Sequence, residues 1–155
     1  MTRINTCIPK ALTDQHLVGE YNEIRRPVNL ALKRYKKHGQ KAFENLTPEY
    51  KLGGGHVLFF YDKLQYLHKR FESICNEMRI RGFNVNTGFD NRDKIPDFLY
   101  NDWECTNEAN LILKNRLREK IENPFSKKIT WRYYGKPIVI EDYLEKILKP
   151  NEHSE

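Results

Sequence analysis

The chain has 155 residues, of which 39% are hydrophobic and 31% charged, with a net charge of +6. That length supports one domain with a core of its own and needs no staple, and the composition excludes disordered and fibrous classes. Membrane spans are excluded too, since the longest apolar run, Val57-Leu58-Phe59-Phe60-Tyr61, falls far short of the ~18 residues a span needs.

Four segments have helical periodicity. The first opens at Thr13, an N-cap residue, with Asp14 in the first turn. Leu17, Tyr21, Ile24, Val28, Leu32 and Tyr35 then recur at three- and four-residue steps. Pro27 predicts a kink or break near Arg26, and His38-Gly39 should end the helix. The second helix follows Gly53-Gly54-Gly55, with Phe60, Leu64, Leu67, Phe71, Ile74 and Met78 on its buried face. Arg79 and Arg81 fall in its last turn, and Gly82 is its stop. The third begins at Thr106, buries Ala109, Ile112, Leu113, Leu117 and Ile121, and ends before Pro124. A short fourth runs from Ile140 to Leu148. Residues 83–105 read as a long loop, and Lys136 to Ile140 is a weak strand candidate. The expected fold is therefore all-α: a compact single domain of three main helices with long loops, plus a short C-terminal helix.

The charge is unevenly placed. Residues 1–40 carry +5 and residues 112–140 carry +6, whereas residues 41–111 carry −2 and residues 141–155 carry −3. Folding gives no reason to gather positive charge this way; phosphate backbones do. A solvated basic face without a partner stands beside that reading.

Individual motifs add less. Gly53-Gly54-Gly55-His56 resembles a phosphate cradle but lacks the Lys-Ser or Lys-Thr of a P-loop, so close packing is the simpler reading. Cys7, Cys75 and Cys105 are odd in number and far apart, which argues against a disulfide framework or a CxxC zinc site. The five histidines show no ligand spacing, so no metal is expected. Met1-Thr2-Arg3-Ile4-Asn5 lacks a secretory core, and a reducing, cytoplasmic compartment is expected. His16, Glu20 and Glu23 lie at i, i+4 and i+7, flanked by Gln15 and Asn22. A solvated face explains such a pattern most of the time, although Glu23 is well placed for an acid/base role if a reactive group lies beside it. Arg116 and Lys120 share a face of the third helix, ahead of Thr130-Trp131-Arg132-Tyr133-Tyr134-Gly135-Lys136. Aromatics interleaved with cations suit an unstacked base, and an aromatic cluster capping the core is the alternative.

Together these pieces resemble the pyrimidine-dimer DNA glycosylase/AP lyases of the phage endonuclease V type. The likeness begins at Met1-Thr2-Arg3-Ile4-Asn5 and continues through Leu12-Thr13-Asp14-Gln15-His16-Leu17 and Glu20-Tyr21-Asn22-Glu23. It resumes at Gly53, Gly55-His56-Val57, Phe59-Phe60-Tyr61-Asp62-Lys63 and Arg81-Gly82-Phe83-Asn84. It closes at Glu108-Ala109, Arg116, Glu119-Lys120-Ile121 and Tyr133-Tyr134-Gly135-Lys136. Residues 1–137 would form the glycosylase domain, with 138–155 an amphipathic, acidic extension.

The resemblance implies a compact, mostly helical fold and a nucleophile that is the α-amine of Thr2, exposed when Met1 is removed. A free α-amine has a pKa near ~7.8 and a lysine near ~10.4, so at pH ~7.4 roughly a quarter of the amine is neutral, against about a thousandth of a lysine. Glu23 matches the essential carboxylate. Arg3, Gln15, His16, Arg26, Arg116 and Lys120 match DNA-contacting positions, and Trp131, Arg132 and Tyr133 belong to the C-terminal DNA-contacting segment. No cofactor, metal or membrane is implied. The partner is damaged double-stranded DNA, and the expected form is a monomer.

Two departures stand out. Asn22 replaces an arginine common in the family, and Arg25 is the neighbouring cation placed to substitute for it. The run Trp131-Arg132-Tyr133-Tyr134 also lacks an aromatic that often precedes the Tyr-Tyr-Gly-Lys motif. The lost cation motivates a glycosylase for another altered base as the alternative function. A silent DNA-binding module is the non-enzyme alternative and would follow from retained Met1. Residues 140–149 are expected to dock on the body, and the acidic tail could also screen the DNA face.

Overall fold

A computed structural model describes residues 4–86, 88–89, 92–123 and 128–149. It is mostly helical. Helix α1 spans Asp14–Glu23 and α2 spans Arg25–His38. A single turn, α3 (His56–Phe59), precedes α4 (Leu64–Ile80), α5 (Asn107–Glu122) and α6 (Ile140–Lys146). Two short strands, β1 (Arg132–Tyr133) and β2 (Lys136–Pro137), pair antiparallel. Among the described residues no helix is long and apolar enough to cross a membrane.

The expected first helix is two helices. Thr13 caps α1 by accepting from the His16 N–H, and the chain breaks at Ile24 rather than near Arg26. Pro27 explains the position. Its ring would clash with a carbonyl four residues back in a continuous helix, but the first turn of a new helix tolerates it. Gly39, at φ 72°, ends α2 as expected.

The second expected helix is also interrupted. Phe60 closes α3, and α4 starts afresh at Leu64. The expected core stripe holds across the break: Phe60, Leu64, Leu67, Phe71, Ile74 and Met78 are all buried. Gly82, at φ 87°, follows the α4 C-cap as expected, and the Phe83 N–H returns to the Met78 carbonyl.

Thr106 caps α5 through the Ala109 N–H. Ile112, expected inside, is exposed. Its place is taken by Asn110, whose Oδ1 accepts from Thr6, and by Lys114, whose Nζ donates to the Lys149 carbonyl at 2.7 Å. The buried face of α5 is thus turned to satisfy polar ties to the chain's two end segments. Helix α6 docks on the body: Tyr143, Leu144 and Leu148 are buried in the same core as Ile4, Leu17 and Leu117.

The strand candidate becomes the second arm of a tight hairpin. Arg132 faces Pro137 and Tyr133 faces Lys136. Tyr134 (φ 52°) and Gly135 (φ 77°) turn the corner. Two positive-φ residues match the twist of a two-residue hairpin. The loop expected at residues 83–105 contains short 3-10 turns at Arg92–Lys94 and Asp97–Leu99.

Candidate active site

A cleft of about 140 Å³ opens between α1 and α5. Helix α1 lines it with Gln15, His16, Gly19, Glu20 and Glu23, α5 with Leu117 and Lys120, and the N-terminal segment with Asn5. Four expected site residues, Gln15, His16, Glu23 and Lys120, therefore meet in one place. A carboxylate, an imidazole and an ammonium group share a narrow space, which suits proton transfer beside a developing positive charge.

Glu20 corrects the solvated-face reading of α1. It is only 3% exposed. Its Oε2 accepts from Arg70 Nε at 2.9 Å, and its Oε1 accepts from the Asn5 backbone N–H at 2.9 Å. Arg70 also donates to the Cys7 carbonyl. Burial works against the arginine's charge, but the attraction and hydrogen bonding of Glu20, with Tyr66 and Cys7 adding to it, prevail and raise its pKa. The same burial pushes the Cys7 thiol up to about 11. Glu23, half-buried one turn beyond Glu20, is the carboxylate at the end of α1.

The N-terminal segment is held by side chains rather than by a strand partner. Ile4 donates its N–H to His56 Nε2 at 2.8 Å and accepts from the Tyr50 hydroxyl at 3.3 Å. Thr2 and Arg3, expected as nucleophile and phosphate contact, lie outside the described residues.

The hairpin forms a flank of the cleft. Trp131 is buried and its ring stacks on His16, centroids 4.7 Å apart. Gln15 bridges to the same segment, donating to the Thr130 carbonyl at 2.6 Å and accepting from the Arg132 N–H at 3.0 Å. Asp14 accepts the Tyr134 and Gly135 N–H groups at 3.2 and 2.8 Å. Arg81, its side chain fully buried, pairs with Asp14 at 2.9 Å and Glu77 at 3.0 Å. It also donates to the carbonyls of Leu12, Pro9 and Lys10. The Tyr134 hydroxyl donates to Glu77.

The remaining expected DNA contacts are dispersed. Asn22, Arg26 and Arg132 are exposed, and none of them lines the cleft. Arg116 is half-buried on α5, with Glu119 at 3.9 Å. Tyr133 turns inward, donating its hydroxyl to the Lys10 carbonyl beneath the Arg81 guanidinium. Arg25 is engaged elsewhere: it lies 4.8 Å over the Phe71 ring and donates to the Asn86 carbonyl. Those contacts direct it toward Phe71 and Asn86 rather than along the Asn22 side of α1.

Two larger hollows lie elsewhere. One of about 470 Å³ is bounded by Tyr50, Phe59, Trp103 and Ile112. The other, about 740 Å³ and open, runs along the basic face of α2 at Lys33, Arg34, Lys37 and Lys41. Neither contains the Glu23 arrangement. Sequence reasoning did not single out Asn5, Asp14 or Arg81 as site-building residues; it placed Glu20 only in a polar set on α1 and weighed His56 only as part of a phosphate cradle. A usable signal existed for Arg70, a charge set between Leu67, Phe71 and Ile74 on a core stripe, which demands a buried partner.

Residues 1–91 match the family described as pyrimidine dimer DNA glycosylase. The chain belongs to that family. The match spans more than half the sequence and takes in α1 with Glu23, the N-terminal segment and the Gly53–His56 turn. Membership makes DNA the substrate and base excision at pyrimidine dimers the general activity. The α5 wall of the cleft and the hairpin beside it lie beyond the matched residues.

Proposed function

We propose that the chain excises a base from cyclobutane pyrimidine dimers in duplex DNA and then cuts the strand as an AP lyase. After Met1 is removed, the neutral Thr2 α-amine attacks the anomeric carbon of the damaged nucleotide and expels the base. Loss of the ring oxygen's bond to that carbon and of a proton from nitrogen gives an imine. The imine withdraws electrons, so a proton is lost from the adjacent carbon and the 3′ phosphate leaves by β-elimination. Glu23 stabilises cationic character at the sugar and carries protons between these steps. Lys120, Arg116, Arg3 and Arg26 hold phosphates, and Gln15, His16, Asn22, Trp131, Arg132 and Tyr133 complete the contact surface.

The observation that carries this reading is the convergence of the N-terminal segment on the Glu23 cleft. Asn5 lines the cleft with Glu23. Three residues of extended chain reach at most about 10–11 Å, so the Thr2 amine is tethered within that distance of Asn5. The cation-rich flanks supplied by residues 1–40 and 112–140 suit a duplex. We take residues 1–137 as the glycosylase domain, 138–155 as an appended segment, and the working form as a monomer in the cytoplasm.

Borohydride trapping on a duplex with one cis-syn thymine dimer tests the proposal, using protein whose intact mass verifies a Thr2 terminus. A covalent adduct mapping to Thr2 is expected. An adduct formed on an abasic-site duplex but not on the dimer would shift the lesion preference, as Asn22 would allow. No adduct on either would leave a DNA-binding protein without this chemistry.

A further inference from the structure

The glycine run followed by His56 does no work in the chemistry above, and it is built with unusual care. His56 is 2% exposed. Its Nδ1 sits 2.9 Å from the Lys51 carbonyl, and its Nε2 sits 2.8 Å from the Ile4 N–H. A carbonyl can only accept, so Nδ1 carries the hydrogen. The Ile4 N–H can only donate, so Nε2 presents its lone pair. The two partners together select one neutral tautomer.

The turn is shaped to hold this imidazole. Gly55 has φ 91°, and a Cβ there would fall 2.5 Å from Lys51 Cε and 3.0 Å from Thr47 Oγ1. The Lys51 tip could swing aside, but that φ is one an L side chain adopts only with strain, so glycine suits the turn that leads into His56. Tyr50, from the same loop, donates to the Ile4 carbonyl and sets its ring edge-on to His56, centroids 5.4 Å apart. Both backbone groups of Ile4 are therefore fixed from one loop.

We infer that His56 is a positioning residue that aims the N-terminal amine at the Glu23 cleft by holding the backbone of Ile4. The inference rests on the Thr2 reading. Only Arg3 separates Thr2 from Ile4, so the reach of the amine is set by where Ile4 is held. An imine-forming attack is sensitive to such placement, because a misplacement of about 1 Å can cost on the order of a hundredfold in rate. The same geometry gives the Gly-His motif a role as a backbone anchor rather than a phosphate cradle.

The test compares wild type with His56→Phe, His56→Gln and Tyr50→Phe, each with a verified Thr2 terminus. Three quantities are read: single-turnover trapping on an abasic-site duplex, Kd for that duplex, and Tm. His56→Phe should slow trapping by about tenfold or more with Kd within about twofold. His56→Gln, which offers an acceptor and a donor, should stay within about threefold of wild type. Tyr50→Phe keeps the ring and should slow trapping by about threefold through the lost bond to Ile4.

A folded His56→Phe variant that traps at the wild-type rate overturns the role. So does one whose rate and binding fall together, since that marks lost fold rather than lost aim. If His56→Phe does not fold, Tyr50→Phe decides, and a wild-type trapping rate there overturns the inference. A wild-type adduct on a lysine instead of Thr2 would defeat the Thr2 reading itself. A Thr2 adduct formed equally fast in wild type and His56→Phe would defeat only the role of His56.

Discussion

Two arginines, Arg70 within α4 and Arg81 at its C-cap, organise the two flanks of the cleft in different ways. Arg70 makes a one-to-one pair with Glu20; the arginine holds the Cys7 carbonyl and the glutamate accepts the Asn5 N–H. Arg81 sits between two carboxylates, Asp14 and Glu77, which also take up the Tyr134 and Gly135 N–H groups and the Tyr134 hydroxyl. The first clamp is balanced in charge by itself. The second carries one excess negative charge, and the hairpin's own donors help to offset it. The N-terminal clamp should therefore act as a structural lock, whereas the hairpin clamp couples its stability to the shape of the hairpin.

Breaking the balanced pair should have the largest effect. Glu20→Gln leaves the Arg70 charge buried without its partner, and about 3–5 kcal/mol of stability should be lost, visible as a large drop in the urea midpoint. A change below ~1 kcal/mol would place the N-terminal lock elsewhere. Glu23→Gln, one turn along α1, provides the contrast: trapping should fall by about 10²–10⁴ while the urea midpoint stays near wild type. A parallel loss of stability and rate would remove the distinction between the two acids.

At the hairpin, Asp14→Asn should cost about 1–3 kcal/mol, because Glu77 and three carbonyls still hold Arg81. It should weaken affinity for duplex DNA while leaving the trapping rate of the bound complex intact. Equal affinity in the two proteins would mean that the hairpin is not used in binding.

Tyr134 gives a pH handle on the same clamp. Burial, followed by the hydrogen bond to Glu77, pushes its pKa up to about 12. A folded-state pKa above the unfolded value of about 10 means a stabilising contribution that is complete below pH ~10 and fades as pH approaches 12. Wild type should lose that increment over this window in pH-dependent melts, and Tyr134→Phe should not.

The smallest effect is a reporter. Cys7 is 1% exposed, so iodoacetamide should label it only when the N-terminal clamp opens. Glu20→Gln should speed labelling and Asp14→Asn should not. Labelling accelerated by both would show that the clamps open together.

The helices were legible because apolar spacing and caps are local signals. Thr13 and Thr106 cap where they should, and the stripe from Phe60 to Met78 lies inside as expected. The break at Ile24 was nearly legible, since Pro27 marks a boundary but not which side of it the new helix begins. Ile112 was misplaced because α5 turns to serve Thr6 and Lys149, contacts that no local pattern encodes. At the site, α1 spacing brought Gln15, His16 and Glu23 together, yet it could not separate Glu20 from Glu23. That separation depends on Arg70, fifty residues away. The inward turn of Tyr133 and the diversion of Arg25 to Asn86 are likewise decided by tertiary partners.

The bond between His56 and Ile4 also sets a schedule for the nascent chain. Ile4 cannot be tied down until residue 56 has been made and has emerged, and Arg70 must follow before the Cys7 carbonyl is held and Glu20 is paired. At about 5–20 residues per second, translation leaves the first residues on an open chain for several seconds. The proposed chemistry requires Met1 to be removed, and this interval gives the processing enzyme a chain in which Ile4 and Cys7 are not yet held.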